Sequence, residues 1–175
     1  MAPVTLEQGA TRRGAVDEVE ALFRAEHRSL LRLAMLLLGD RGAAEEVVQD
    51  AFVQLQLGWS RVREPERAPA WLRSAVLNGA RSHLRRRAVR RRHLEVVPGT
   101  AASAETGALA GEEHRRVIVA LRSLPARQRE ALVLRYYADL SEAEIAAAMG
   151  VSAGSVKTHA HRGLAALASI LGEEQ

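Results

Sequence analysis

The chain has 175 residues, enough for one large domain or two small ones. Hydrophobic residues make up 47%, which excludes global disorder; only 3% are aromatic, and Ala, Leu, Arg and Glu outnumber β-branched types, which favours helices over a sandwich or barrel. Cysteine is absent, so disulfide scaffolds, thiolate metal sites, cysteine nucleophiles and thiol switches are excluded, and the formal net charge of +4 gains meaning only from where it sits.

In chain order, residues 1–16 mix Pro, Gly, Thr and arginines without periodicity and read as a flexible N-terminal tail. From Asp17 the pattern turns helical, with Val19, Leu22, Phe23, Leu30, Leu33, Ala34 and Leu37 at three- and four-residue steps. The apolar run Leu33–Leu38 is too short to span a bilayer, and no leader pattern precedes it. A cytoplasmic chain without membrane insertion is expected. Gly39-Asp40 ends the first helix and caps a second, about Arg41 to Leu57, whose buried side carries Val47, Val48, Ala51, Phe52 and Leu55. A loop with two prolines follows over Gly58–Pro69. A third helix starts near Ala68, bears Trp71, Leu72, Ala75, Val76, Ala80 and Leu84, and runs into Arg85-Arg86-Arg87 and Arg90-Arg91-Arg92. Trp71 reads first as core and second as a stacking wedge. Pro98–Gly111 has no apolar stripe and reads as a linker. Beyond it, helices are expected at about Glu112–Ser123, Ala126–Tyr137, Ser141–Met149 and Ser152–Leu171. The expected fold class is all-α, two small helical domains on a tether.

Charge supplies the first functional signal. Nine arginines and no acidic residue lie between Arg67 and Leu94, so this segment carries +9 in a chain of net +4. A basic block of this kind suits a polyanion, because each phosphate that is neutralised releases counterions. The alternatives are a solvated helix end and an anionic membrane surface. The block continues a helix that bears Trp71 and Leu72, which favours nucleic acid.

The second signal is Leu140–Thr158. Ser141 with Glu144 three residues on is a capping box, and Ile145 and Met149 face inward. Gly150 sits where a turn needs positive φ, Val151 plugs the core, Ser152 caps the next helix and Val156 anchors it. These are the positional demands of a helix-turn-helix, with a generic αα-hairpin as the bland alternative. Val156, Ala160, Gly163, Leu164 and Leu167 form the expected buried stripe of the second helix. That leaves Ser155, Lys157, Thr158, His161 and Arg162 for DNA, with His159 at the margin.

No catalytic constellation is found. His159 and His161 are two apart, a poor spacing for a shared metal on a helix, and no phosphate loop or nucleophile elbow occurs. No enzyme activity, cofactor or metal is expected.

The residues now resemble a family. Asp40–Phe52 is similar to the "D-x-x-x-A-E-D-L-V-Q-E-x-F" helix of bacterial sigma factors of the extracytoplasmic-function (ECF) group. Trp71-Leu72, Asn78 and Arg85-Arg86 resemble their "W-L-x-x-I-A-x-N-x-x-x-D-x-x-R" helix, and Leu124–Tyr136 resembles "L-P-x-x-x-R-x-x-x-L-R-Y". The helix-turn-helix through Val156–Arg162 completes the set. The chain departs from the pattern at Ser82, where the family has Asp, at Ala75-Val76, and at His159, where many members carry Arg.

The resemblance implies sigma region 2 over 17–94, a linker over 95–111 and sigma region 4 over 112–172. It implies a protein that binds core RNA polymerase, directs it to promoters and helps open the duplex without catalysing a reaction. Glu46, Gln49 and Asp50 would meet the clamp helices of the β′ subunit. The −10 element would be met by Arg61, Arg63, Arg67, Asn78, Arg81, Arg85 and Arg86, the loop Arg61–Ala68 holding a flipped base. The −35 element would be met by Ser155, Lys157, Thr158, His159, His161 and Arg162, while region 4 also holds the β flap. An anti-sigma factor is a further partner that the resemblance allows. A stand-alone helix-turn-helix regulator is the competing reading; it leaves the clamp-like helix and the Trp71/Asn78 pattern unexplained. A basic RNA-binding scaffold is a third, for which stacking aromatics and RNA motifs are missing.

Overall fold

The computed structural model describes residues 5–93 and 112–172, with side chains over 16–90 and 116–172. Among the described residues the structure is helical, without a strand. The expected linker, Pro98–Gly111, lies outside them.

Helix α1 (Thr5–Leu38) starts well ahead of Asp17, so residues 5–16, expected as a flexible tail, continue the helix. Composition explains the difference: Leu6, Glu7, Gln8 and two arginines are good helix formers, and two glycines weaken such a segment without breaking it. At the other end Gly39 takes φ 70°, and the Ala43 N–H donates to Asp40 Oδ1 at 2.8 Å, capping α2 (Arg41–Gly58). Two 3₁₀ turns, Trp59–Arg61 and Pro65–Arg67, then lead into α3 (Ala68–His93). These three helices share one core, in which Leu30, Leu33, Val48, Leu72, Val76 and Leu77 are fully buried. Each such side chain contributes on the order of 1.5–3 kcal/mol.

The second half contains α4 (Glu112–Ser123), α5 (Ala126–Leu132) running into a π-helical turn (Val133–Tyr137), α6 (Glu142–Met149) and α7 (Ala153–Gly172). Leu134, Ile145, Met149 and Val156 centre its core. The two apolar patterns misjudged three large side chains. Phe23, Trp71 and Leu164 are each about two-fifths exposed, because each lies on the flank of its helix stripe, where a period count cannot separate rim from core. Phe23 instead packs edge-on against Phe52, with ring centroids 5.0 Å apart.

The two halves touch. Helix α3 packs on α6, and α1 packs on α4, α5 and the π turn. Among the described residues, an ion pair, a hydrogen bond and a packed arginine join them. Arg81 of α3 forms a two-pronged ion pair with Glu130 of α5, at 2.9 Å (Nε to Oε1) and 2.8 Å (Nη2 to Oε2). The Tyr137 hydroxyl donates to the Ser29 carbonyl at 3.3 Å. Arg122 lies across Gly39, so closely that a Cβ there would stand 2.5 Å from its Nε. Burial lowers the pKa of Arg122, and the nearby Asp40 works in the opposite direction.

Candidate nucleic-acid and polymerase interfaces

The loop between α2 and α3 is short and turns twice, which brings its arginines round a groove of about 420 Å³. Arg61, Arg63, Arg67 and Trp71 line it above an apolar floor of Leu55 and Val62. Arg67 is ion-paired with Glu64, which fixes its arm along the rim. Trp71, read from the sequence as core before wedge, presents a 42% exposed ring to this groove. The same ring borders a second groove, of about 390 Å³, with Asn78, Ser82 and Arg86. An exposed indole beside a groove lined by three arginines, with Arg86 on its other side, can stack a base while guanidinium groups hold its phosphates.

Along α3 the expected residues divide. Asn78, Arg85 and Arg86 are exposed, and Arg85 donates to the Ser82 hydroxyl at 3.2 Å. Arg81 is different. It donates to Asn78 Oδ1 at 3.1 Å, and its remaining fork is taken by Glu130. The sequence reading missed Glu130, which is 3% exposed and also accepts from Arg127 at 3.2 Å. Its signal was an acid at the head of the apolar run Ala131–Leu134.

The helix-turn-helix forms as its residues demand. Ser141 Oγ accepts from the Glu144 N–H while Glu144 accepts from the Ser141 N–H at 2.9 Å. The Ser141 hydroxyl, then its backbone N–H, hold the Glu144 carboxyl below its ordinary range, and Arg73 of α3 adds attraction. Gly150 takes φ 65°, the left-handed conformation that ends α6. On α7, Val156 and Ala160 are buried, Lys157, Thr158, His161 and Arg162 are exposed, and Ser155 and His159 are half-buried. Two hydroxyls already serve the helix: Ser155 shares a 2.9 Å bond with Ser152, and Thr158 donates to the Gly154 carbonyl at 3.0 Å. Lys157 reaches back to Glu142 at 3.7 Å. The exposed face of α7 is thus polar, cationic and uncovered by α3.

The polymerase-facing residues are split by the helix they share. Gln49 lines a groove of about 520 Å³ between α1 and α2, with exposed Phe23 and Val53. Asp50, one step of 100° further round, lines the opposite groove with Asn78. Glu46 is exposed. No cluster of metal-ligating side chains occurs among the described residues, and none of their helices is long and apolar enough to cross a membrane.

Comparisons with known proteins agree with this geometry. The family described as "Sigma-70 region 2" matches residues 22–90, and "Sigma-70, region 4" matches residues 114–167. The chain is 34% identical to the RNA polymerase sigma-E factor of Streptomyces coelicolor over 157 residues, covering 88% of this chain and 86% of that one. It is 35% identical to the ECF RNA polymerase sigma factor SigM of Mycobacterium tuberculosis over 155 residues, 87% and 76% of the two chains. Among solved structures, CnrH in complex with the cytosolic domain of CnrY aligns with a TM-score of 0.67 at 25% identity, covering 94% of this chain and 98% of that one. The sigma factor RpoE of Bartonella quintana, in complex with the anti-sigma factor NepR, shares the fold with a TM-score of 0.70 at 23% identity, over 89% and 98% of the chains. A stand-alone helix-turn-helix regulator would leave the region 2 match without a role. With both regions in order and relatives matched over most of their length, the chain belongs to the ECF group of RNA polymerase sigma factors.

Proposed function

We propose that this sigma factor reads promoters with two unlike surfaces, region 2 over residues 17–94 and region 4 over 112–172. Region 2 captures the −10 element as single-stranded DNA, with a base stacked on Trp71 and phosphates on Arg61, Arg63, Arg67, Arg85 and Arg86. Asn78 and Arg81 extend that surface along α3. Capturing unpaired bases shifts an existing opening equilibrium, so melting needs no catalysis by the chain itself. Region 4 places α7 in the −35 major groove, where Ser155, Thr158 and His159 reach base edges and Lys157, His161 and Arg162 hold the backbone. The groove at Gln49, with Phe23 and Val53, receives the β′ clamp helices, together with Glu46; Asp50 supports the DNA side of α2 as well. The chain works in the cytoplasm, where promoter DNA and polymerase are. A protein antagonist of the anti-sigma kind is a further partner, as NepR is for the sigma factor RpoE of Bartonella quintana.

The observation that carries this reading is the exposed Trp71 ring at the edge of a groove lined by Arg61, Arg63 and Arg67, with Asn78 and Arg86 on its other side, where a base can stack and its phosphates be held. The test is run-off transcription by reconstituted core polymerase on a library of randomised promoters. Parent chain should select paired −10 and −35 sequences, and Gln49→Ala should lose co-purification with core polymerase while keeping its melting temperature. A chain that selects no −10 sequence, or a Gln49→Ala variant that binds polymerase like the parent, would overturn the assignment.

A further inference from the structure

One contact between the two halves falls on the expected −10 surface. Arg81 is the one expected −10 residue whose guanidinium fork is filled, and a carboxylate fills it with the two-pronged geometry that a phosphate would use. Asn78 is drawn into the same network through its Oδ1. Both partners are largely withdrawn from water, Arg81 at 20% and Glu130 at 5% side-chain exposure, so this is not a loose surface pair. Glu130 itself is fixed by Arg127, which also donates to the Met149 carbonyl at the end of α6 and so ties the carboxylate to the helix-turn-helix. Two contacts outside the DNA surface hold the same closed arrangement, Tyr137 on Ser29 and Arg122 over Gly39.

We infer that Glu130 acts as an internal phosphate mimic that latches region 4 onto α3, so that the free chain occupies the Arg81 part of its own −10 surface and DNA must displace the carboxylate there. This rests on the placement of Arg81 and Asn78 at −10 DNA given above. The energetics favour a switch over a permanent joint. In the closed form, removing the Glu130 charge leaves Arg81 withdrawn from water with no counter-charge, whereas in the open form Arg81 is hydrated and loses nothing. Neutralising one member of a charged hydrogen-bonded pair should therefore shift the closed-to-open ratio by about tenfold or more. The ion pair biases a joint that apolar packing also holds: α1 lies on α4, α5 and the π turn and α3 on α6, and the buried apolar residues of both halves form one cluster.

The experiment uses the full chain, which has no native cysteine, with Ala25→Cys and Ala168→Cys carrying a dye pair on exposed positions of α1 and α7. Energy transfer reports closure, and anisotropy of a labelled single-stranded oligothymidine reports access to the −10 surface. Glu130→Gln keeps size but removes the charge and turns one accepting oxygen into a donor, and Glu18→Gln, exposed on the far half of α1, controls for loss of one negative charge. The expected result is a shift of Glu130→Gln to low transfer with about tenfold tighter oligothymidine binding than the Glu18→Gln control. Tyr137→Phe is the second lever: it removes the hydroxyl that donates to the Ser29 carbonyl, so it should also shift transfer towards the open form, by less, while leaving Glu130 untouched. If both variants keep the parent's transfer, the latch is wrong. If they open without tighter binding than the control, the latch stands but Arg81 and Asn78 are not DNA contacts, and the phosphate-mimic role falls.

Discussion

The two DNA-facing helices of this chain differ in what they face when no DNA is present. On α3, the arginine nearest the middle of the helix is buried against an acid from the other half, and its neighbour Asn78 joins the same network. On α7, the cationic face is exposed, with Lys157 reaching Glu142 of α6 only at 3.7 Å, and the hydroxyls of Ser155 and Thr158 bond to the start of their own helix. The difference follows from what each surface reads. An opened strand offers stackable faces, so region 2 needs an exposed indole and many cations, a surface that attracts any nearby carboxylate. A duplex groove offers base edges, so region 4 needs short polar side chains whose charge is modest, and its one lysine holds a carboxylate only loosely and in the open. Strength of nonspecific attraction therefore marks the surface that draws in an internal carboxylate.

The comparison can be broken most forcefully at Trp71. Replacing it by Ala should weaken binding to a single-stranded −10 probe by about 1–3 kcal/mol, since one stacked base is lost, while thermal melts move little because the ring is 42% exposed. A large fall in melting temperature with unchanged binding would return Trp71 to the core. On the other surface, His159→Arg should alter which −35 sequences are selected, at a cost of about 1–3 kcal/mol confined to one base position. Selection from randomised −35 sequences, paired with melts, checks it; the same preferred sequences with an earlier melt would place His159 in packing alone.

The smallest expected effect concerns the cap on α6. Ser141→Ala should cost about 1 kcal/mol of stability, measured by denaturant titration. Because the folded chain holds Glu144 below its ordinary value of 4.5, the cap contributes stability above that value and loses it as pH falls through the lower, folded pKa. The Ser141→Ala penalty should accordingly shrink below about pH 4, and a penalty constant from pH 7 to acid would remove Glu144 from the account.

What could be read from the sequence was what depends on neighbours in the chain. The capping box at Ser141 and Glu144, the left-handed Gly150 and the Asp40 cap are set by residues three or four apart, and each forms as the spacing demands. The core stripe of α2 is likewise local, and Val47, Val48, Ala51, Phe52 and Leu55 are all buried. What escaped lies far apart in sequence. Arg81 and Glu130 are separated by 49 positions and Ser29 and Tyr137 by 108, so no period or motif connects them. Gln49 and Asp50 show a third kind of limit: adjacent residues on a helix point to different grooves, and a motif that treats them as a pair hides it.

The π turn at Val133–Tyr137 works as a phase shifter. The Ala138 N–H reaches back five residues to the Val133 carbonyl at 3.1 Å, so one residue more than usual is wound into that turn. The adjacent tyrosines on this turn point apart: Tyr136 stands 63% exposed, while Tyr137 is delivered to the first half of the molecule. Deleting a single residue in this stretch would preserve the chemical character of every side chain and still rotate all that follows by roughly 100° relative to α5. Five residues of unremarkable composition thus carry the angular setting of the whole helix-turn-helix, and the chain tolerates a change of letter there more readily than a change of length.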